Sequence, residues 1–215
     1  MSEFNSEIVV STLEQVLNIL ETKNIKYRFL GSVIIAAING KLHRDLGDLD
    51  LIIDKEKKDI LFIELQKLGY KRVGGMFAFA RKYLEQLEHP KMLGIGYFYG
   101  AWLPDGSFRM GNNNVYLTID SLALNETQYS LYNLKFIGIP KQIAATGVKS
   151  SATNPKQKKE IIILRDNNIQ PLANKYIHVN FLGLKFDWVY YFAMGILNII
   201  GPIRVKLGLA FDPWR

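Results

Sequence analysis

Apolar positions in the first quarter of the chain recur at two periods. Val9, Leu13, Val16, Leu17 and Leu20 fall at 3.6-residue spacing and predict a helix over residues 6–23, which Asn5 or Ser6 can cap. Residues 25–30 read as a strand that delivers Gly31-Ser32. Residues 33–39 are apolar, contain two alanines and end at Gly40, a helix terminus. After the basic loop 41–44 comes a strand over 48–53, DLDLII. Asp54 is placed to cap a helix with apolar Ile60, Leu61, Ile63, Leu65 and Leu68, stopped by Gly69. Residues 70–73 form a short strand, and 77–87 read as helix rather than strand. From Met92 onward, residues 92–103, 108–110 and 115–124 are rich in aromatics, β-branched residues and glycine. The turns PDG and GNNN separate them, and an antiparallel meander is the expectation. Residues 132–139 add a strand, and Pro140 opens a short helix to about 146. Residues 149–159 are polar and basic, a loop leading into a helix.

Composition narrows this picture. A chain of 215 residues with 48% hydrophobic and 22% charged residues fits one domain with an extension. We place a first unit over 1–170 and an apolar helical extension over 171–215. No cysteine is present, which excludes disulfides, thiolate nucleophiles and cysteine-held zinc. The three histidines, His43, His89 and His178, are spaced unlike a metal site, and His43 reads as a surface loop residue. A net charge of +7 favours a polyanionic partner, nucleic acid, a nucleotide or an anionic membrane surface, and equally fits a mildly basic soluble protein, so charge alone decides little. Residues 188–203 carry no formal charge. That run is short of the roughly 20 apolar residues a span needs, and Pro202 interrupts it. It reads as a helix packed on the domain or on a partner protein, with a peripheral membrane contact as the alternative. The N-terminus lacks the order of a signal peptide, so a cytoplasmic protein is expected.

The chemistry concentrates in residues 29–54. Asp48 and Asp50, at i and i+2 on a strand, point to one face roughly 7 Å apart, which suits a divalent cation. Magnesium takes one or two carboxylates, with water and substrate oxygens completing its shell. A Gly31-Ser32 turn entering a helix offers free N–H groups to phosphate. Phosphoryl chemistry needs these two grips and little covalent help.

Leu30-Gly31-Ser32, Gly40, Arg44 and Asp48-Leu49-Asp50-Leu51-Ile52-Ile53 together resemble the signature of minimal nucleotidyltransferases of the DNA polymerase β-like superfamily. The resemblance is closest to the stand-alone bacterial type of abortive-infection toxin systems and small antibiotic-modifying enzymes. It implies a mixed α/β fold with a mostly antiparallel sheet flanked by helices. It also implies transfer of a nucleoside monophosphate from NTP to an acceptor hydroxyl, with Mg²⁺ or Mn²⁺. Asp48 and Asp50 would hold metal, and Gly31 and Ser32 would cradle the triphosphate. Arg44, four residues before Asp48 as in many relatives, would reach phosphate. Leu46 departs from the serine or threonine that relatives often carry. The third carboxylate of the superfamily is best matched by Asp120 in VYLTIDSLAL, and a basic residue on the triphosphate by Lys149, with Lys158 and Lys159 behind it. Asp105 sits in its turn for structural reasons, and Tyr97, Tyr99 and Trp102 read as core rather than as a stacking platform. RNA, a protein hydroxyl or a small molecule would each serve as acceptor. Two other readings stand beside this one: a nucleotidyltransferase-fold binding module or toxin–antitoxin component without turnover, and a membrane-surface accessory protein.

Overall fold

A computed structural model of the chain describes residues 4–73, 83–150, 155–172 and 175–188, without the side chains of 149–150 and 155–157. The helical period of the N-terminus becomes α1 (Ser6–Thr22), with Val9, Leu13, Val16, Leu17 and Leu20 all buried. Asn5 occupies the cap position without a side-chain cap bond. Its amide instead bridges to Leu46, donating to Leu46 O (2.8 Å) and accepting from Leu46 N (3.1 Å). The start of α1 thereby braces the loop that leads to Asp48.

Strand β1 (Tyr27–Leu30) runs into α2 (Ser32–Asn39), which Gly40 ends in the left-handed conformation. Strand β2 (Asp48–Asp54) follows, then a single 3₁₀ turn and α3 (Lys58–Lys67). Strand β3 is the dipeptide Lys71–Arg72. The helix expected near 77–87 is instead strand β4 (Leu84–Glu88) where it is described. There Leu84 and Leu87 pair with Phe98 and Ile95, so sheet pairing overrides the local helix propensity.

Strands β5 (Gly94–Trp102), β6 (Phe108–Gly111) and β7 (Val115–Ile119) form the expected meander, but β5 also runs parallel to β2. A hairpin of β8 (Thr127–Leu131) and β9 (Leu134–Gly138) attaches to β1, with Phe29 opposite Gly138. Helices α4 (Lys141–Ser150) and α5 (Pro155–Asp166) come next. The last described elements are β10 (Ile177–Phe181) and β11 (Leu184–Phe186), strands where a helical extension was expected. Strand β10 pairs with β7 over five residues, from Ile177↔Ile119 to Phe181↔Val115. Trp188 is described and exposed, and the rest of the apolar run 188–203 lies outside the described residues. Among the described residues no helix is long and apolar enough to cross a membrane.

The sheet order is β11-β10-β7-β6-β5-β2-β1-β9-β8, with β4 and β3 branching from β5. All pairings are antiparallel except β2 with β5 and β1 with β9. Along β2 the side chains alternate. Leu49, Leu51 and Ile53 are fully buried on one face, while Asp48, Asp50 and Ile52 take the other. Helix α3 covers the first face, where the Lys58 ammonium lies over the Tyr99 ring and the Tyr97 hydroxyl donates to Lys58 O (3.5 Å). Tyr97 and Tyr99 are core residues, as expected. The second face carries the candidate site.

Candidate active site

One cavity of about 440 Å³ opens on the Asp48 face of the sheet. It touches Leu30 of β1, Ile52 of β2, Phe98 of β5, Met110 of β6, Leu117 and Ile119 of β7, and Ile177 of β10. Six adjacent flat strands would span roughly 24 Å. A single cavity of this size reaching both ends means that the sheet curls around it. Helix α4 closes the far side with Ile143, Ala144 and Val148.

The polar end of the cavity is built by three neighbouring strands. Leu30 pairs with Asp50 across β1 and β2, so the Gly31 turn lies beside the Asp50 carboxylate. Gly31 has φ 67° and ψ −149°, a conformation essentially confined to glycine. A Cβ there would stand 3.1 Å from Asp50 Oδ2. On the other side, β5 sets Gly94 opposite Asp48 and Gly96 opposite Asp50. A Cβ at Gly96 would stand 2.7 Å from Asp50 Oδ1, a contact real structures do not tolerate. The carboxylate therefore occupies room that two glycines leave open.

Asp48 and Asp50 both line the cavity, on the face predicted for them. Burial, and then the Asp48 charge beside it, push the Asp50 carboxyl up to about 7. Two neighbouring acids on the wall of a cavity are a donor set that could hold a hard divalent cation.

Asp120 is not brought to this pair. It follows the last residue of β7 at the start of a 3₁₀ turn, and it is absent from the cavity wall. Leu117 and Ile119 line the cavity, so Thr118 and Asp120 fall to the opposite face by strand alternation. There Asp120 Oδ2 meets His178 Nε2 at 2.8 Å, while His178 Nδ1 meets Asp187 Oδ1 at 2.8 Å. The expected triad is thus a pair, and among the described residues no group of three metal-binding side chains exists. Asp105 accepts from the Ser107 amide and hydroxyl, as its turn position implied.

Ser32 and Arg44 do line the cavity, and both are held by a residue the sequence did not single out. The Ser32 hydroxyl donates to Glu160 Oε1 (2.9 Å), and Arg44 Nε and Nη2 donate to the same oxygen at 3.3 Å each. Arg44 Nη2 also donates to the Ser32 hydroxyl. His43 Nε2 lies 3.2 Å from Glu160 Oε1, so His43 is buried against α5 and is not the expected surface residue. Burial pushes the Glu160 carboxyl up, but hydrogen bonds from His43 and Ser32 and the Arg44 charge outweigh it and hold the carboxyl below its ordinary range. The only signal in the sequence was a lone acid four residues before Leu164, both buried on one side of α5. Lys149 belongs to α4, but its side chain lies outside the described residues; Lys158 and Lys159 are exposed.

This architecture is a nucleotidyltransferase-like mixed α/β fold. No family model matches the chain, and neither does any curated protein. Solved structures do. The lincosamide antibiotic adenylyltransferase LnuA, with lincomycin bound, superposes with a TM-score of 0.61 at 15% identity, covering 77% of this chain and 99% of that one. ANT(2")-Ia in complex with adenylyl-2"-tobramycin gives 0.58 at 10% identity over 94% and 99%. A solution structure of the antibiotic-resistance factor ANT(2'')-Ia gives 0.55 at 13% identity over 94% of each chain.

Proposed function

We propose that the protein transfers a nucleoside monophosphate from a nucleoside triphosphate to an acceptor hydroxyl in a Mg²⁺-dependent reaction. The observation that carries this reading is the paired Asp48 and Asp50 carboxylates set beside the glycine turn at the start of α2, within a nucleotidyltransferase-like fold. In the reaction the acceptor oxygen bonds to the α-phosphorus and the bond to the bridging oxygen of pyrophosphate breaks. Pyrophosphate leaves with the bonding pair, and the hydroxyl proton goes to water. Asp48 and Asp50 would hold the cation, whose contribution is to neutralise charge on the phosphate oxygens. Ser32 lines the same cavity, and it and the first N–H groups of α2 would cradle the β- and γ-phosphates. Arg44 donates to the Ser32 hydroxyl, and from that position its positive charge would reach the triphosphate. The neighbours named above act on antibiotics, by their own descriptions, which supports a small-molecule acceptor over RNA for this chain.

The test is incorporation of label from α-labelled NTPs into a panel of hydroxyl compounds. Asp48→Ala and Asp50→Ala should each lower the rate at least about a hundredfold, the scale of lost metal stabilisation. Asp120→Asn, away from the cavity, should stay within about twofold of the parent. Undiminished transfer by the double alanine variant would overturn the proposal. One observation favours a second reading: no third acid joins the pair among the described residues. Saturable Mg·NTP binding without label on any acceptor would identify a binding module without turnover.

A further inference from the structure

The two ends of the cavity differ in chemistry. Among the described residues, its charged lining, Arg44, Asp48, Asp50 and Glu160, stands at the β1–α2–β2 end. There Glu160 is already bound to Arg44 and His43. The body, from Phe98 through Met110, Leu117 and Ile119 to Ile143 and Ile177, is apolar. The cavity residues Phe98, Met110, Leu117, Ile119 and Ile177 all stand at paired ladder positions, so these walls present mainly side chains. Among the described residues of this body, Tyr176 adds a hydroxyl. The cavity as a whole, polar end included, holds about 440 Å³, within the range of small-molecule sites.

We propose that this body receives the acceptor, and that the acceptor is an uncharged, mainly apolar compound whose hydroxyl points to Asp48 and Asp50. This rests on the nucleotidyl-transfer reading above and names the class of molecule transferred to. A polycationic amino sugar would need acids along the wall, and among the described residues these are the Asp48–Asp50 pair and an occupied Glu160. A ribose or base would leave its donors and acceptors unpaired against this wall, a loss of roughly tenfold in affinity per group. An apolar body loses nothing there and gains from leaving water.

The experiment uses the full chain with naphthylethanol as a neutral fluorescent probe and kanamycin as a polycationic one. Gly147 supplies the diagnostic variant. It lies on the cavity wall within α4, and a Cβ there meets nothing within 4 Å. Gly147→Leu therefore adds bulk to the cavity and favours the helix, and its melting temperature confirms folding. We expect saturable naphthylethanol binding without nucleotide, weakened about tenfold or more by Gly147→Leu and unaffected by kanamycin. With Mg²⁺ and labelled NTP, label should pass to naphthylethanol in preference to kanamycin. Failure to bind naphthylethanol, or binding that Gly147→Leu leaves unchanged, overturns the inference. Label on kanamycin without naphthylethanol binding overturns it too and leaves nucleotidyl transfer intact. Naphthylethanol bound in the cavity, with label on no hydroxyl compound, overturns the transfer reading and the acceptor role together, while the apolar site stands.

Discussion

Asp50 is the residue on which the site's electrostatics turn. Its folded-state carboxyl titrates near 7 and its unfolded one near the ordinary 3.8. Between those values the folded protein binds more protons than the unfolded chain, so stability falls as pH rises from about 4 to about 7 and is level above. The shift corresponds to an effect on the order of 2–4 kcal/mol. Asp50→Asn removes the buried charge. In metal-free buffer it should melt higher than the parent at pH 8 and match it near pH 4. Paired melting curves across that range check this, and a difference independent of pH would reject it. The carboxylate pair itself was legible in the sequence as Asp-x-Asp on a strand. Its flanking glycines were not, because Gly96 acquires meaning only once β5 is known to lie beside β2.

At the scale of elements, α5 reaches into the site through one side chain. Glu160 accepts from Ser32 and Arg44 and pairs with His43, while only 3% of it is exposed. Removing a buried partner of this kind leaves uncompensated charge and costs about 3 kcal/mol. Glu160→Ala should lower the melting temperature by about 6–12 °C for a chain of this size. Because the folded carboxyl is held below its ordinary range, its contribution is present above the unfolded value of 4.5 and fades as pH falls through the folded one. The loss in the variant should therefore shrink in acid, which calorimetry at pH 7 and pH 3 would show. Local pattern made α1, α2 and the β5–β7 meander readable, since each is specified by its own period and turns. It misread β4, whose partner is β5, and missed β10, whose partner β7 lies some sixty residues away in the chain. Pairing over some sixty residues leaves no local trace for β10, while β4 is decided by its pairing with β5 against the local helix pattern.

For the molecule as a whole, the curl of the sheet brings a carboxylate pair, a helix start and an apolar body around one space. The same curl explains why Asp120 misled the sequence reading. A lone acid in an apolar strand was expected to face the pair, but β7 turns its Leu117 and Ile119 face inward and leaves Asp120 to His178. On the proposed function, with two carboxylates and no third among the described residues, a cation held by the pair would need further ligands from water and the nucleotide. Metal and nucleotide should therefore bind as a unit. At a hundred times its dissociation constant, Mg·NTP should stabilise the fold by about 2.7 kcal/mol, or roughly 5–10 °C. Mg²⁺ alone or NTP with chelator should each give clearly less than that. In Asp48→Asn/Asp50→Asn the increment due to the metal should vanish, while any shift from NTP alone persists. Melting curves with each of the four NTPs read both quantities. Equal shifts with and without Mg²⁺ would mean that the pair does not hold the cation, and nucleotide binding would then rest on the α2 turn.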